Sequence, residues 1–252
     1  MSVAAAVVIP PEQIVLLREA QHVVALTGAG ISKESGLPTF REAQTGLWSQ
    51  YRPEELATPE AFARQPDLVW QWYTWRRALV RQAAPNPAHY ALVELAGRVP
   101  SFSLITQNVD SLHRRAGSRD VIELHGDILR SRCSSCHAIA TDIDEASPSP
   151  PPCPQCGAPV RPDVVWFGET LPDDALQAAF NAARSADLLL VIGTSLQVQP
   201  AAGIVPLALQ AGASVIDINP EPAIIPDERV HTLAGPAAKM LPALVSAAFG
   251  PA

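Results

Sequence analysis

Apolar residues along the chain follow two different periods. Short unbroken runs occur at 22–27 (HVVALT), 102–106, 187–193 (DLLLVIG) and 214–218 (SVIDI). Each has the length of a strand buried on both faces and is too short for a helix. Between and around them, residues 11–21 (PEQIVLLREAQ), 87–98 (PAHYALVELAGR), 173–185, 199–211 and 236–248 carry apolar positions at helical spacing. A short extended segment is expected at 121–126 (VIELHG) and another strand around 230–233. Strands alternating with helices predict an α/β fold built on a doubly wound, mostly parallel sheet.

Two stretches break this alternation. Residues 41–85 are rich in Arg, Trp, Gln and Pro and read as helical and irregular, with Pro59 and Pro66 cutting the helices short. Residues 127–160 contain SPSPPPCP, which forms loops and holds no long helix. The expected organisation is therefore a discontinuous large domain (1–40, 86–126 and 161–252) and a small domain of two insertions, a helical module (41–85) and a cysteine-bearing module (127–160). Ligands of doubly wound sheets bind at the carboxyl ends of the strands. Here those ends carry Gly28, Gln107 and Asn108, Gly193-Thr194-Ser195, and Asn219, all polar or glycine-rich. Their coincidence predicts a nucleotide site.

Composition narrows the function classes. The 252 residues are 48% hydrophobic and 17% charged, enough for a full core and too apolar for disorder. A net charge of -7 argues against a nucleic-acid binder, which needs a basic face. No apolar run approaches the roughly 18 residues of a membrane span. The N-terminal segment has no basic stretch before its apolar one, so it makes a poor signal peptide. The expectation is a cytoplasmic protein with no membrane partner. Proline is abundant at 25 residues, but dispersed, which excludes collagen-like and low-complexity readings.

Four motifs carry candidate chemistry. In TGAGIS (27–32), Gly28, Ala29 and Gly30 allow the backbone to approach a pyrophosphate at a helix start. The third glycine falls at Gly36 and the acidic residue expected about 20 positions on is missing, so this is not the dehydrogenase fingerprint; an ordinary tight turn reads equally well. Cys133, Cys136, Cys153 and Cys156 form two C-x-x-C pairs sixteen residues apart, the spacing of a closed, structural zinc site. A redox role is the alternative. Of six histidines, His125 stands out in ELHG, just before the cysteine module. A neutral imidazole in the crevice between domains could act as a general base, although most single histidines are surface or satisfied core groups. Tyr73 and Arg76 lie at i and i+3 on a Trp-rich helix. Together they could receive a carboxylate; packing plus a solvated charge is the ordinary reading.

Taken in order, GAGISKESGLPTFR (28–41), TQNVDSLHRRAG (106–117), ELHG (123–126), the two C-x-x-C pairs, RPDVVWFGE (161–169), GTSLQVQPAAG (193–203) and INPEP (218–222) resemble the sirtuins, NAD-dependent protein-lysine deacylases. The resemblance covers about residues 15–247. It implies a Rossmann-like domain with a zinc module and a helical module inserted. Within the family, the segment around Tyr73-x-x-Arg76 looks like the branch that removes succinyl, malonyl and glutaryl groups, with Ala57 leaving room in the acyl pocket. Lys33 departs from the small residue usual there, and residues 41–48 are slightly longer than in many bacterial relatives.

The resemblance further implies a site. Arg41 would contact phosphate; Gln107, Asn108, Val109 and Asp110 would surround nicotinamide and its ribose; Gly193, Thr194, Ser195, Asn219, Pro220 and Glu221 would hold the adenosine half, with Ala237 near adenine. His125 would be the general base, the backbone of Val164, Val165, Trp166 and Phe167 would pair with the substrate peptide as an added strand, and Tyr73 with Arg76 would grip the distal carboxylate. The implied partners are NAD, one structural zinc ion and acylated protein lysines; the products are nicotinamide, O-acyl-ADP-ribose and free lysine, with deacetylation as an accompanying activity. A mono-ADP-ribosyltransferase, an NAD-dependent oxidoreductase using the same loops and a non-enzymatic zinc-ribbon adaptor are the competing readings.

Overall fold

The computed structural model of the chain describes residues 7–38 and 51–251. The elements run in order: α1 (Pro11–Glu19), β1 (His22–Thr27), a 3-10 helix (Ala29–Ser35), α2 (Pro53–Leu56), α3 (Pro59–Arg64), α4 (Pro66–Gln82), α5 (Pro87–Ala96), β2 (Ser101–Thr106), α6 (Leu112–Ala116), β3 (Ile122–Glu123) and β4 (Gly126–Cys133). They continue with β5 (Val160–Val164), α7 (Asp173–Arg184), β6 (Leu188–Ile192), a 3-10 turn (Ala201–Gly203), α8 (Ile204–Gln210), β7 (Ser214–Asn219), β8 (Val230–Ala234) and α9 (Ala237–Phe249).

Six strands form one sheet in the order β3-β2-β1-β6-β7-β8, and every neighbouring pair in it is parallel. The chain therefore builds outward from β1 in one direction, then crosses over to β6 and builds in the other. This is the doubly wound arrangement, with its switch point between β1 and β6. Successive side chains of a strand point to opposite faces, and the two faces are covered separately. Val23 and Ala25 pack with Leu17, Leu92, Leu95, Leu241 and Val245 from α1, α5 and α9. Val24 and Leu26 pack with Ala179, Ala183, Ile204, Val205 and Ala208 from α7 and α8.

Strands β4 and β5 pair antiparallel in a second, two-stranded sheet. The sequence pattern did not announce β4, because it reads GDILRSRC with no apolar run. Its polar side chains are consumed in ion pairs: Arg130 binds Asp163 at 3.0 Å and Glu123 at 2.7 Å, and Arg132 lies 3.8 Å from Asp163.

Pro59 and Pro66 do divide this stretch into separate helices, standing at the starts of α3 and α4, although α4 with 17 residues is not short; Pro11 and Pro87 likewise start α1 and α5. Proline suits a first helical position, because its missing N–H would have no partner there and its φ is already helical. Helices α3 and α4 belong to a third apolar cluster, in which Phe62, Val69, Trp72 and Tyr73 pack on Leu112, Val164 and Trp166. The opposite side of α4 meets the cysteine-bearing segment. Trp70 packs with Cys133, Cys153 and Val160, and its indole N–H donates to the Ser147 carbonyl at 2.9 Å. Arg77, 1% exposed, donates to the carbonyls of Ile128 (2.6 Å) and Arg130 (3.0 Å) and to Ser131 Oγ (2.8 Å). Among the described residues no helix is long and apolar enough to cross a membrane.

Candidate active site

The two glycine loops meet at the switch point, backbone to backbone. Gly28 N–H continues the ladder to the Ile192 carbonyl at 3.0 Å, and Gly30 N–H donates to the Gly193 carbonyl at 2.8 Å. A Cβ on Gly30 would stand 2.7 Å from Gly193 Cα. A Cβ on Gly193 would stand 2.3 Å from Ile31 N, and Gly193 also has φ +60. Glycine is thus demanded here by the contact of one loop with the other, whatever binds above them.

Polar groups gather on the same edge. Asn108 Nδ2 donates to the Gly28 carbonyl at 3.1 Å and to Ser32 Oγ at 3.3 Å. Ser32 Oγ donates to Asp110 Oδ2 at 2.7 Å, while Asp110 Oδ1 accepts the Leu112 N–H at 2.9 Å. Burial pushes the Asp110 carboxyl above its ordinary range, against these hydrogen bonds. Gln107 Nε2 donates to Thr194 Oγ1 at 2.9 Å, and Asn219 Nδ2 donates to the Thr194 carbonyl at 3.0 Å, so the loops after β2, β6 and β7 are tied together. The Val109 carbonyl accepts the Ile128 N–H at 2.9 Å, fixing this loop to β4. Ser195, Pro220 and Glu221 are exposed on the same edge, and Ala237 is buried at the start of α9. Arg41 lies outside the described residues.

His125 sits half-buried between β3 and β4, with Nδ1 2.9 Å from the Gln107 carbonyl oxygen. A carbonyl only accepts, so Nδ1 carries the proton and Nε2 keeps its lone pair. Burial lowers the pKa of the ring, with the Gln107 hydrogen bond opposing it. The imidazole is thus held neutral, with its basic nitrogen directed away from Gln107.

The His125 carbonyl accepts the Val165 N–H at 3.0 Å, and the Ala57 carbonyl accepts the Phe167 N–H at 2.9 Å. Strand β5 therefore ends at Val164. The expected strand-like run through Phe167 is instead an irregular segment whose N–H groups at 165, 166 and 167 are already engaged. Phe167 itself is 43% exposed. Tyr73 is buried and its hydroxyl is bound by the Trp166 indole at 2.8 Å. Arg76 lies with its guanidinium 4.9 Å above the Trp72 ring and 5.9 Å above that of Tyr73. Burial lowers its pKa, while Tyr73 and Asp110 act in the other direction. Arg76 and Asp110 are thus within electrostatic reach of each other.

The four cysteine sulfurs lie within 4.8 Å of one another, with Cys133 and Cys156 3.4 Å apart and Cys136 and Cys153 3.8 Å apart. Tetrahedral zinc with Zn–S bonds of about 2.3 Å separates its sulfurs by about 3.8 Å. The donor set and spacing fit one zinc ion.

Sequence reasoning missed three groups. Ser32 was within the glycine motif but not singled out as a bridge to Asp110. A buried chain joins His113 Nε2 to Thr27 Oγ1 and Thr27 Oγ1 to Thr106 Oγ1, each at 2.9 Å, and Thr106 Oγ1 accepts the Asn108 N–H at 3.0 Å. Burial holds His113 down to about 3 and His89, its ring 4.9 Å away, down to about 4. The third is Arg77, next to Arg76 but facing the cysteine module. Only spatial neighbours distinguish such residues from ordinary core or surface ones.

Three comparisons bear on this geometry. The model of the Sir2 family matches residues 28–200. "NAD-dependent protein deacylase 1" of Pseudomonas aeruginosa is 54% identical over 242 residues, 93% of this chain and 97% of that one. Two solved structures share the fold. A mutated Sir2 homologue bound to 2'-O-acetyl ADP ribose has TM-score 0.87 and 45% identity, covering 95% of this chain and 96% of the other. A Sir2 homologue bound to NAD has TM-score 0.86 and 44% identity, covering 96% and 95%.

Proposed function

The chain belongs to the Sir2 family, and on that premise we propose that it is an NAD-dependent protein-lysine deacylase whose preferred acyl groups are succinyl and malonyl, with deacetylation alongside. The observation that carries the acyl preference is the pairing of Tyr73 and Arg76 on one face of α4, the tyrosine buried and the half-buried guanidinium lying over the Trp72 and Tyr73 rings, within electrostatic reach of Asp110. A phenol hydroxyl and a guanidinium in a desolvated setting suit a carboxylate. The deacylase reading itself is supported by the relatives' names and by the neutral His125. Ala57, small and buried beside Tyr73 and Trp166, leaves width for a chain ending in a carboxylate.

When bound, NAD supplies the ribose that accepts the acyl group and nicotinamide as the leaving group. The chain's residues hold and move protons around it. Gln107 fixes the His125 tautomer, so Nε2 can take a proton from a ribose hydroxyl. Asn108 and Asp110, anchored by Ser32, Gly28 and Leu112, line the nicotinamide end. Gly28, Ala29, Gly30 and Arg41 serve the phosphates; Gly193, Thr194, Ser195, Asn219, Pro220, Glu221 and Ala237 serve the adenosine half. Val164 to Phe167 present the remaining backbone groups of their segment to the substrate peptide. In this reading 1–40, 86–126 and 161–252 form the nucleotide-binding domain, and 41–85 with 127–160 the small domain.

The test is a mass-spectrometric comparison of acetyl-, succinyl-, malonyl- and glutaryl-lysine peptides with and without NAD. Succinyl and malonyl groups should leave fastest, only with NAD, and reappear as O-acyl-ADP-ribose. Arg76→Met should slow desuccinylation about 10- to 150-fold, the worth of a charge-assisted hydrogen bond, and spare deacetylation. Equal loss of both activities, or fastest removal of acetyl, would refute the acyl assignment. Label from NAD appearing on the protein would indicate a transferase instead.

A further inference from the structure

Tyr73 is 1% exposed, and its hydroxyl makes a hydrogen bond to the Trp166 indole at 2.8 Å. An indole N–H only donates, so in this contact the phenol oxygen must accept. The phenol's own hydrogen is then left without an acceptor among the described residues. Trp166 in turn is fixed on three sides. Its backbone N–H donates to Glu169 Oε2 at 2.8 Å. The Arg161 guanidinium lies 3.2 Å above the indole ring, and Phe62 packs with ring centroids 5.3 Å apart. Arg161 is itself held by Glu169 through both oxygens, at 2.5 and 2.9 Å, and by the Val164 carbonyl at 2.7 Å.

We propose that Trp166 is a positioning residue for acyl selectivity: its indole N–H commits the Tyr73 hydroxyl to donating, so that Tyr73 and Arg76 together present only donors to the acyl chain. This rests on the reading of Tyr73 and Arg76 as the carboxylate receptor and adds what orients them. A tyrosine hydroxyl with no such partner can rotate, and serves as acceptor as readily as donor. A donor-only pair favours chains that end in an acceptor anion and leaves a short neutral chain such as acetyl indifferent. Arg161 and Glu169 act one step further out, by holding the indole plane.

The experiment is a double-mutant cycle read as the ratio of kcat/KM for succinyl-lysine over acetyl-lysine peptide at saturating NAD. Trp166→Phe keeps an aromatic ring and deletes the N–H. It should lower the ratio about 3- to 10-fold, the range of one hydrogen bond, chiefly through KM for the succinyl peptide. In a Tyr73→Phe background the same change should lower the ratio no further. A purely structural tryptophan would depress both substrates together and leave the ratio in place, which overturns the proposal. So does an undiminished drop in the Tyr73→Phe background. Should Trp166→Phe not fold, β-(3-benzothienyl)alanine at position 166, introduced by codon suppression, retains the size of tryptophan without the N–H and carries the same expectations. If the wild-type protein shows no succinyl preference and Arg76→Met changes nothing, the receptor reading itself has failed. If both of those hold and only Trp166→Phe leaves the ratio unchanged, this inference alone has failed.

Discussion

His125 shows how much of a role one hydrogen bond decides. ELHG marked it as a candidate, but the sequence could not say which nitrogen is basic. The Gln107 carbonyl at 2.9 Å settles that Nδ1 is protonated, and burial keeps the ring neutral below the ordinary histidine range. A general base works only unprotonated, so activity should be retained as pH falls past about 6.5 and lost only as the pH drops through the lowered pKa. The acid limb of kcat/KM should therefore lie below that value and vanish with the activity itself in His125→Ala. That variant should lose about 100- to 10,000-fold in turnover while melting normally. An acid limb above the ordinary value would contradict the burial argument, and normal turnover would remove His125 from catalysis. The other buried imidazoles, His89 and His113, were invisible beforehand because they are buried against each other from separate helices, α5 and α6, and His113 is bound by Thr27 of β1.

Among the elements, the strands of the large sheet were the most legible, since burial on both faces leaves an unbroken apolar run. The breaks expected at Pro59 and Pro66 fall where α3 and α4 begin, because proline suits the first helical position. The small sheet was illegible because its strands are stabilised by Arg–Asp and Arg–Glu pairs rather than by an apolar stripe. Helix α4 serves two neighbours at once. Tyr73 turns to Trp166, while Trp70, Thr74 and Arg77 turn to the cysteine-bearing segment and β4. Arg77 is the strongest of these links, and its loss strands two backbone carbonyls and a serine hydroxyl in a buried setting. Arg77→Met should therefore cost about 2–4 kcal/mol and lower the melting temperature by several degrees. A melt indistinguishable from wild type would mean that Arg77 is not the anchor described.

At the scale of the molecule, the glycine-loop edge, the Tyr73–Arg76 pair and the four-cysteine cluster come from segments far apart in the chain, and α4 packs against both Trp166 and the cysteine-bearing segment. The sequence motifs located each piece; their joints, such as Asp110 with Ser32 or Tyr73 with Trp166, needed the fold. The four cysteines draw together two stretches of chain, 133–136 and 153–156, against Trp70, so zinc should matter to folding rather than to chemistry. A strong chelator, or Cys133→Ala, should lower the melting temperature or cause aggregation, with activity lost in step. A chelated protein that melts normally yet no longer turns over would point to a catalytic metal instead. The clasp between the insertions also bears on how this protein could be re-engineered. Because α4 is gripped by Ser147, Pro148 and Glu145 on one side and by Trp166 on the other, a helical insertion transplanted alone from a relative with another acyl taste would arrive without its mould. A chimaera should inherit the donor's preference only when residues 51–85, 126–160 and 161–169 travel together, which makes this trio, and not the helix, the portable unit of specificity.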